Sequence, residues 1–263
     1  MRAKIVAGNW KMNTVPSDGV GLVVDILEKL NPSQVGDTRV IISPPFTHLI
    51  DVIDHVWEEP HVSVAAQNCH FEDSGAFTGE ISAAMIADLN IDAVIIGHSE
   101  RRQYFNEDDA LLAKKVDAAV RHSLLPLFCV GESLDQRKSG NHEQVVKDQL
   151  TNGLFHLSPD SFKSAIIAYE PVWAIGTGET ATPEQAQEMH AAIRAHVADK
   201  YGAEIAENVS ILYGGSVKPS NAREIFSQPD VDGGLVGGAS LETKGFVEIV
   251  HAMAPAKGGL HAV

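Results

Sequence analysis

Ala165-Ile166-Ile167-Ala168-Tyr169-Glu170-Pro171-Val172-Trp173-Ala174-Ile175-Gly176-Thr177-Gly178 begins with four apolar residues and no charge. A run without polar alternation reads as a strand buried on both faces, the pattern of parallel sheet. It ends in a carboxylate, Glu170, followed by Pro171 and a loop carrying Trp173, Ile175, Gly176 and Gly178. A carboxylate at a buried strand end, under an apolar loop whose proline and glycines confine movement to the loop, has the layout of a catalytic base beneath a flap. Taken alone, the segment fits equally well a strand-end glutamate paired with a lysine or arginine.

The same alternation of short apolar runs and longer helical patterns extends to both sides. Further strands are predicted at 4–8, 39–43, 62–66, 93–96, 125–130, 209–213 and 234–236. Helices are predicted at 17–30, 47–56, 82–89, 108–122, from 133 to 154, from 182 to about 201, at 221–227 and at 241–253. The first carries Val20, Val23, Val24, Leu27 and Leu30 on one face, and 108–122 carries Leu111, Leu112, Val116, Ala119 and Val120. Ser133 with Gln136 has capping-box spacing, and Thr182-Pro183 with Gln185 is a helix start with proline at its first position. No linker or compositional break divides these units, so residues 1–253 read as one domain and 254–263, with Gly258-Gly259, as a loose tail.

Eight β-then-α units predict an α/β fold, a closed (β/α)8 barrel, with an open doubly wound sheet as the alternative. Polar and glycine signals follow many different strands: Asn9 and Lys11 the first, His98 the fourth, Glu170 the sixth, Gly215-Ser216 the seventh, Gly237-Gly238 the eighth. Closure gathers those ends at one rim, whereas an open sheet holds the first and eighth strands apart.

Composition narrows the function classes. Net charge is −15, with 35 acidic and 20 basic residues among 263, which opposes binding to a phosphate backbone, and no basic patch is set aside for nucleic acid. Any phosphate site must act locally, through a few lysines and main-chain N–H groups. Cys69 and Cys129 lack metal or disulfide spacing, which points to a reducing, cytoplasmic compartment. The N-terminal residues run directly into a strand without a signal-peptide pattern, and no apolar stretch approaches the ~20 residues of a membrane span.

Three groups carry candidate chemistry. Lys11 and Asn9, just beyond the first strand, are either a solvated loop pair or an ammonium and an amide that stabilise an oxyanion. His98 is either an ordinary satisfied histidine or, if Ser99 and its successors open a helical turn whose N–H groups hydrogen-bond the ring, a neutral proton shuttle. Gly214-Gly215-Ser216 and Gly237-Gly238 are each unremarkable as turns. As a pair after the last two strands they match the place where barrels bind phosphate.

Gly8-Asn9-Trp10-Lys11-Met12-Asn13, Gly97-His98-Ser99-Glu100-Arg101-Arg102, the run from Ala168 through Gly178, Tyr213-Gly214-Gly215-Ser216-Val217 and Leu235-Val236-Gly237-Gly238-Ala239-Ser240 resemble, in order, the motifs of the triosephosphate isomerase family, over about residues 4 to 250. The resemblance implies a TIM barrel that interconverts dihydroxyacetone phosphate and glyceraldehyde 3-phosphate without a cofactor or metal. It implies Glu170 as carbon base, His98 as neutral electrophile, Lys11 as electrostatic partner, and Asn9 as a further donor. It also implies phosphate binding at Gly176, Ser216, Gly237 and Gly238, with Ser99 and Glu100 in support. That family is the standard worked case of a base, a neutral histidine and a closing loop, so these roles are inherited from it. Gly75-Ala76-Phe77-Thr78-Gly79-Glu80 resembles the family's dimer loop, which implies a homodimer with Phe77, Thr78, Gly79 and Glu80 reaching the partner beside Asn13 and Lys11. Glu179 departs from the pattern, since many relatives are neutral or basic there.

Rival readings come from other classes. Gly176-x-Gly178-x-x-Ala181 fits a loose dinucleotide pattern, but Glu170-Pro171-Val172-Trp173 separate it from the strand end and Asp199 falls within a predicted helix. A non-catalytic phosphate-binding barrel stays open. His-Glu-x-x-His is absent from the sequence, and His190 and His196 do not share a helix face.

Overall fold

Eight strands form one closed parallel barrel in sequence order: β1 (Ile5–Asn9), β2 (Arg39–Ser43), β3 (Val62–Ala66), β4 (Ala93–Ile96), β5 (Leu125–Val130), β6 (Ile166–Tyr169), β7 (Ile211–Tyr213) and β8 (Gly233–Val236), with β8 paired back to β1. This is a computed structural model, and it describes residues 2–175 and 180–253. Around the barrel run α1 (Pro16–Lys29), α2 (Pro32–Val35), α3 (Leu49–Val56), α4 (Ala83–Asp88), α5 (Ser99–Tyr104), α6 (Asp109–Arg121), α7 (Leu134–Lys138), α8 (His142–Gly153), α9 (Pro159–Phe162), α10 (Pro183–Tyr201), α11 (Ala203–Ala206), α12 (Pro219–Phe226) and α13 (Thr243–Met253). The closed order excludes the open sheet. The proposed tail, 254–263, lies outside the described residues.

Strand alternation divides the core into two layers. Ile5, Ala7, Ile41, Ala65, Ile95, Leu127, Cys129, Ala168, Leu212 and Leu235 fill the barrel interior. Their neighbours, among them Val6, Val40, Ile42, Val94, Phe128, Ile167, Tyr169, Tyr213 and Val236, pack outward with the helices. Both faces are apolar, which is why these strands read as continuous hydrophobic runs. The period of two places Asn9, the last residue of β1, and Glu170, one residue past β6, on the inward side.

Helix starts follow their local chemistry. Ser133 and Thr182 form the expected capping boxes with Gln136 and Gln185, and Asp108 accepts the Leu111 N–H at 2.8 Å. Differences have local causes too. The pattern from 133 to 154 is two helices, α7 and α8, because Gly140 takes φ +75° between them. Helix α1 buries Val23 of the expected face fully, packs Val24, Leu27 and Leu30 partly against the core, and adds Gly19 and Ile26, which that face did not include. A Cβ on Gly19 would stand 2.4 Å from the His48 ring, so the glycine permits close packing against the chain after β2. In α6 the buried set includes Lys115, whose ammonium donates to Glu107 Oε1 at 2.7 Å and to Asn68 at 2.8 Å. Apolar periodicity does not register a buried ion pair.

Candidate active site

Asn9, Lys11, His98 and Glu170 line a single cavity of about 550 Å³ at the C-terminal rim of the barrel, together with Glu100, Ser216, Gly237 and Gly238. Each arrives by a different backbone device. Asn9 and Glu170 are inward-pointing strand ends, 5% and 2% exposed. Alternation alone would send His98 outward after Ile96. Gly97 adopts φ +77°, breaks the extended geometry and turns His98 toward the cavity. Arg102 secures that corner by donating to the Gly97 carbonyl at 2.8 Å and the Cys129 carbonyl at 3.1 Å, which ties the ends of β4 and β5 together.

Lys11 lies in the left-handed region at φ +54°. For a residue with a Cβ that conformation costs about 1–2 kcal/mol, and three contacts offset it. Its N–H donates to Asn9 Oδ1 at 3.0 Å, and Gln67 donates to its carbonyl at 2.9 Å and to that of Ser43 at 2.9 Å. The ammonium reaches Glu100 Oε1 at 2.5 Å. It also lies 3.9 Å from where a Cβ on Gly237 would be, which places it beside that turn.

The imidazole of His98 caps α5: Nδ1 accepts the Glu100 N–H at 3.2 Å. A nitrogen that accepts a main-chain N–H carries no proton, which leaves a neutral ring with its hydrogen on Nε2. Nε2 stands 3.0 Å from Glu170 Oε1. The Glu170 carboxylate also accepts the Ser99 N–H at 2.9 Å on Oε2 and the Ser99 hydroxyl at 3.3 Å on Oε1. Burial, reinforced by the charge of Glu170, pushes the neighbouring Cys129 thiol well above its ordinary range, so it is an inert thiol. Cys69 and Cys129 are both free and buried.

A model of the family described as "Triosephosphate isomerase" matches residues 4–253. The chain belongs to the triosephosphate isomerase family. It is 53% identical over 253 residues to a triosephosphate isomerase of Flavobacterium psychrophilum, covering 96% of this chain and 100% of that one. Identity to the triosephosphate isomerase of Chloroherpeton thalassium is 53% over 250 residues, 95% and 98% of the two chains. The Chloroflexus aurantiacus triosephosphate isomerase is 51% identical over 251 residues, 95% and 99% of the two.

Of the residues that resemblance to the triosephosphate isomerase family singles out, Asn9, Lys11, His98, Glu170, Ser216, Gly237 and Gly238 share the cavity. Ser99 and Glu100 contact Glu170 and Lys11. Gly176, with Thr177, Gly178 and Glu179, lies outside the described residues, as do the flap's closing part and the glycines of the dinucleotide pattern. Asp199 is interior to α10, so that pattern lacks its acidic strand end. The flap's first half is described. Val172–Ala174 is a single 3-10 turn, and Ile175 lines the cavity. Its Trp173 indole N–H donates to Glu132 Oε1 at 2.8 Å, on an oxygen that also accepts the Tyr169 hydroxyl at 3.0 Å.

The loop with Phe77, Thr78, Gly79 and Glu80 projects from the end of β3, and its Phe77 ring is 42% exposed. It is not wholly in water, because it packs on the His70 ring at 4.3 Å between centroids.

Several working residues carry no signal in single-sequence pattern. Glu132 is buried and gathers Tyr169, Trp173 and Arg137. Gly131 flanks Glu170, where a Cβ would stand 1.8 Å from the Glu170 carbonyl oxygen. Gly214, singled out in the sequence only as part of a turn, has a second role, since a Cβ there would stand 2.8 Å from Glu170 Cγ. Both follow buried strands, and a glycine at such a position marks a close approach.

Proposed function

We propose that this chain is a triose-phosphate isomerase, which interconverts dihydroxyacetone phosphate and D-glyceraldehyde 3-phosphate through an enediolate, in glycolysis and gluconeogenesis. The observation that carries the reading is the contact between a buried carboxylate and the Nε2–H edge of a neutral imidazole, 3.0 Å apart, in a cavity that also holds an ammonium and two glycine turns.

The chemistry needs a proton removed from a carbon beside a carbonyl and returned to the adjacent carbon. Glu170 is the base. It takes the proton from one carbon and gives it back to the other. The His98 Nε2–H donates to the developing oxyanion and carries the proton between the two oxygens, while Lys11 and Asn9 stabilise the negative charge. The phosphate lies against Ser216, Gly237 and Gly238 with Gly176 from the flap, where main-chain N–H groups face an anion without needing a large positive field. Covering the site excludes water and holds back loss of phosphate from the enediolate. No step calls for a cofactor or metal.

The enzyme works as a homodimer in the cytoplasm. Support for the dimer comes from exposed Met12 and Val15, which follow Lys11, from Tyr104 and Phe105 at the end of the helix that His98 caps, and from Phe77 in the loop after β3, Met12 being 95% exposed. Two free, buried thiols fit a reducing compartment. No helix among the described residues is long and apolar enough to cross a membrane.

A coupled assay on each triose phosphate, with chelator present, tests the reading. Turnover in both directions is expected. No turnover in either would leave the phosphate-binding barrel as the account.

A further inference from the structure

The described charged side chains at the cavity are Lys11, Glu100, Glu170 and Lys218. Lys11 is matched by Glu100 at 2.5 Å. Glu170 is bonded to neutral groups, His98 and Ser99. Lys218 is exposed, and among the described residues its ammonium has no hydrogen-bond or ion-pair partner. Among the described residues, the rim therefore has one uncompensated cation, two residues after Ser216.

We propose that Lys218 is a steering residue for the phosphate group, raising the capture of an anionic substrate by this cavity. This rests on the triose phosphate reading for the identity of the substrate, but the attraction itself requires only a phosphate. The need for it follows from the charge of the whole chain. At −15 the protein repels a dianion at every approach, and a local positive site at the cavity mouth offsets that repulsion where it matters. Lys11 does little at a distance, because Glu100 cancels its field beyond a few ångströms. Lys218 acts through water, so its influence must fade as salt shortens the screening length from about 30 Å at 0.01 M to below 8 Å above 0.15 M.

The position suits a clean test. Lys218 precedes Pro219, the first residue of α12, and its structural contribution is made by its main-chain N–H, which donates to Asn221 Oδ1 at 2.8 Å. Replacing the side chain leaves that cap in place. Inorganic phosphate is titrated calorimetrically into wild type and Lys218→Met, at about 0.01 M and about 0.3 M ionic strength. A unit charge acting on a dianion across water predicts about three- to fivefold weaker binding in the variant at low salt, with the gap closed at high salt. In turnover, kcat/KM for either triose phosphate falls by the same factor at low salt, kcat stays within about twofold, and Lys218→Arg restores the wild-type value. Equal phosphate affinity at low salt, or a gap of the same size at both salts, overturns the assignment. A wild type without isomerase activity would sink the functional reading instead, and the phosphate titration would still decide the role of Lys218.

Discussion

The Ser99 N–H donates to Glu170 Oε2 at 2.9 Å, across 71 positions of sequence, so the carboxylate of β6 is held by the first turn of the helix after β4. The turn supplies the donor and the macrodipole favours an anion there. Ser99→Ala removes only the hydroxyl, at 3.3 Å. It should lower kcat by no more than about fivefold, the scale of one hydrogen bond. Ser99→Pro removes the N–H at a first-turn position where proline is accepted, and His98 at φ −50°, ψ 139° already has the extended conformation that proline demands of its predecessor. Steady-state kinetics should show the larger loss for Ser99→Pro, with a cooperative melt retained. A larger loss for Ser99→Ala would refute this view of the carboxylate.

Gly214→Ala tests how closely Glu170 is confined. The new methyl would lie 2.8 Å from Glu170 Cγ and 3.1 Å from the Tyr169 carbonyl oxygen. Displacing the base by about an ångström should reduce kcat by roughly 10- to 100-fold, with a smaller change in KM. A variant with wild-type kcat would mean that the carboxylate has room to spare.

Strand order and the inner core were legible because each strand is apolar on both faces, and four of the eight, such as Leu125–Val130, begin and end where the pattern puts them. Asn9, His98 and Glu170 were legible as polar residues ending such runs. Glu132, Gly131 and Arg102 were not, because their roles depend on partners that only the closed barrel brings near: Glu132 meets Trp173 41 positions away, and Arg102 meets the Cys129 carbonyl. Lys115 was masked by its own helix stripe, where burial is stabilised by ion pairing to Glu107 rather than by apolar contact.

Acid stability should depend on His190. Burial pushes its imidazole from an ordinary 6.5 down to about 4, and among the described residues its Nε2 has no partner. The unfolded chain therefore takes up a proton that the folded one refuses. The stability contributed by this neutral ring is full above pH 6.5 and is lost as pH falls toward 4, by on the order of 3 kcal/mol. Urea melts of wild type and His190→Met across that window should show wild type losing stability relative to the variant as pH falls, since the methionine does not titrate. Parallel pH profiles would contradict it.

The proposed dimer predicts that Phe77→Asp, at a ring 42% exposed, yields a folded monomer with kcat reduced by roughly tenfold or more. Light scattering and turnover on the same sample check it. A dimeric variant, or a fully active monomer, would argue that the loop completes nothing.

The central claim, that Glu170 moves the carbon-bound proton, is tested most directly by Glu170→Gln, assayed for turnover of both triose phosphates and for competitive binding of inorganic phosphate. The amide keeps the shape and loses the base. Turnover should fall by about 10³-fold or more while phosphate binding stays within about twofold of wild type. Turnover within about tenfold of wild type would contradict the assignment of Glu170 as the base.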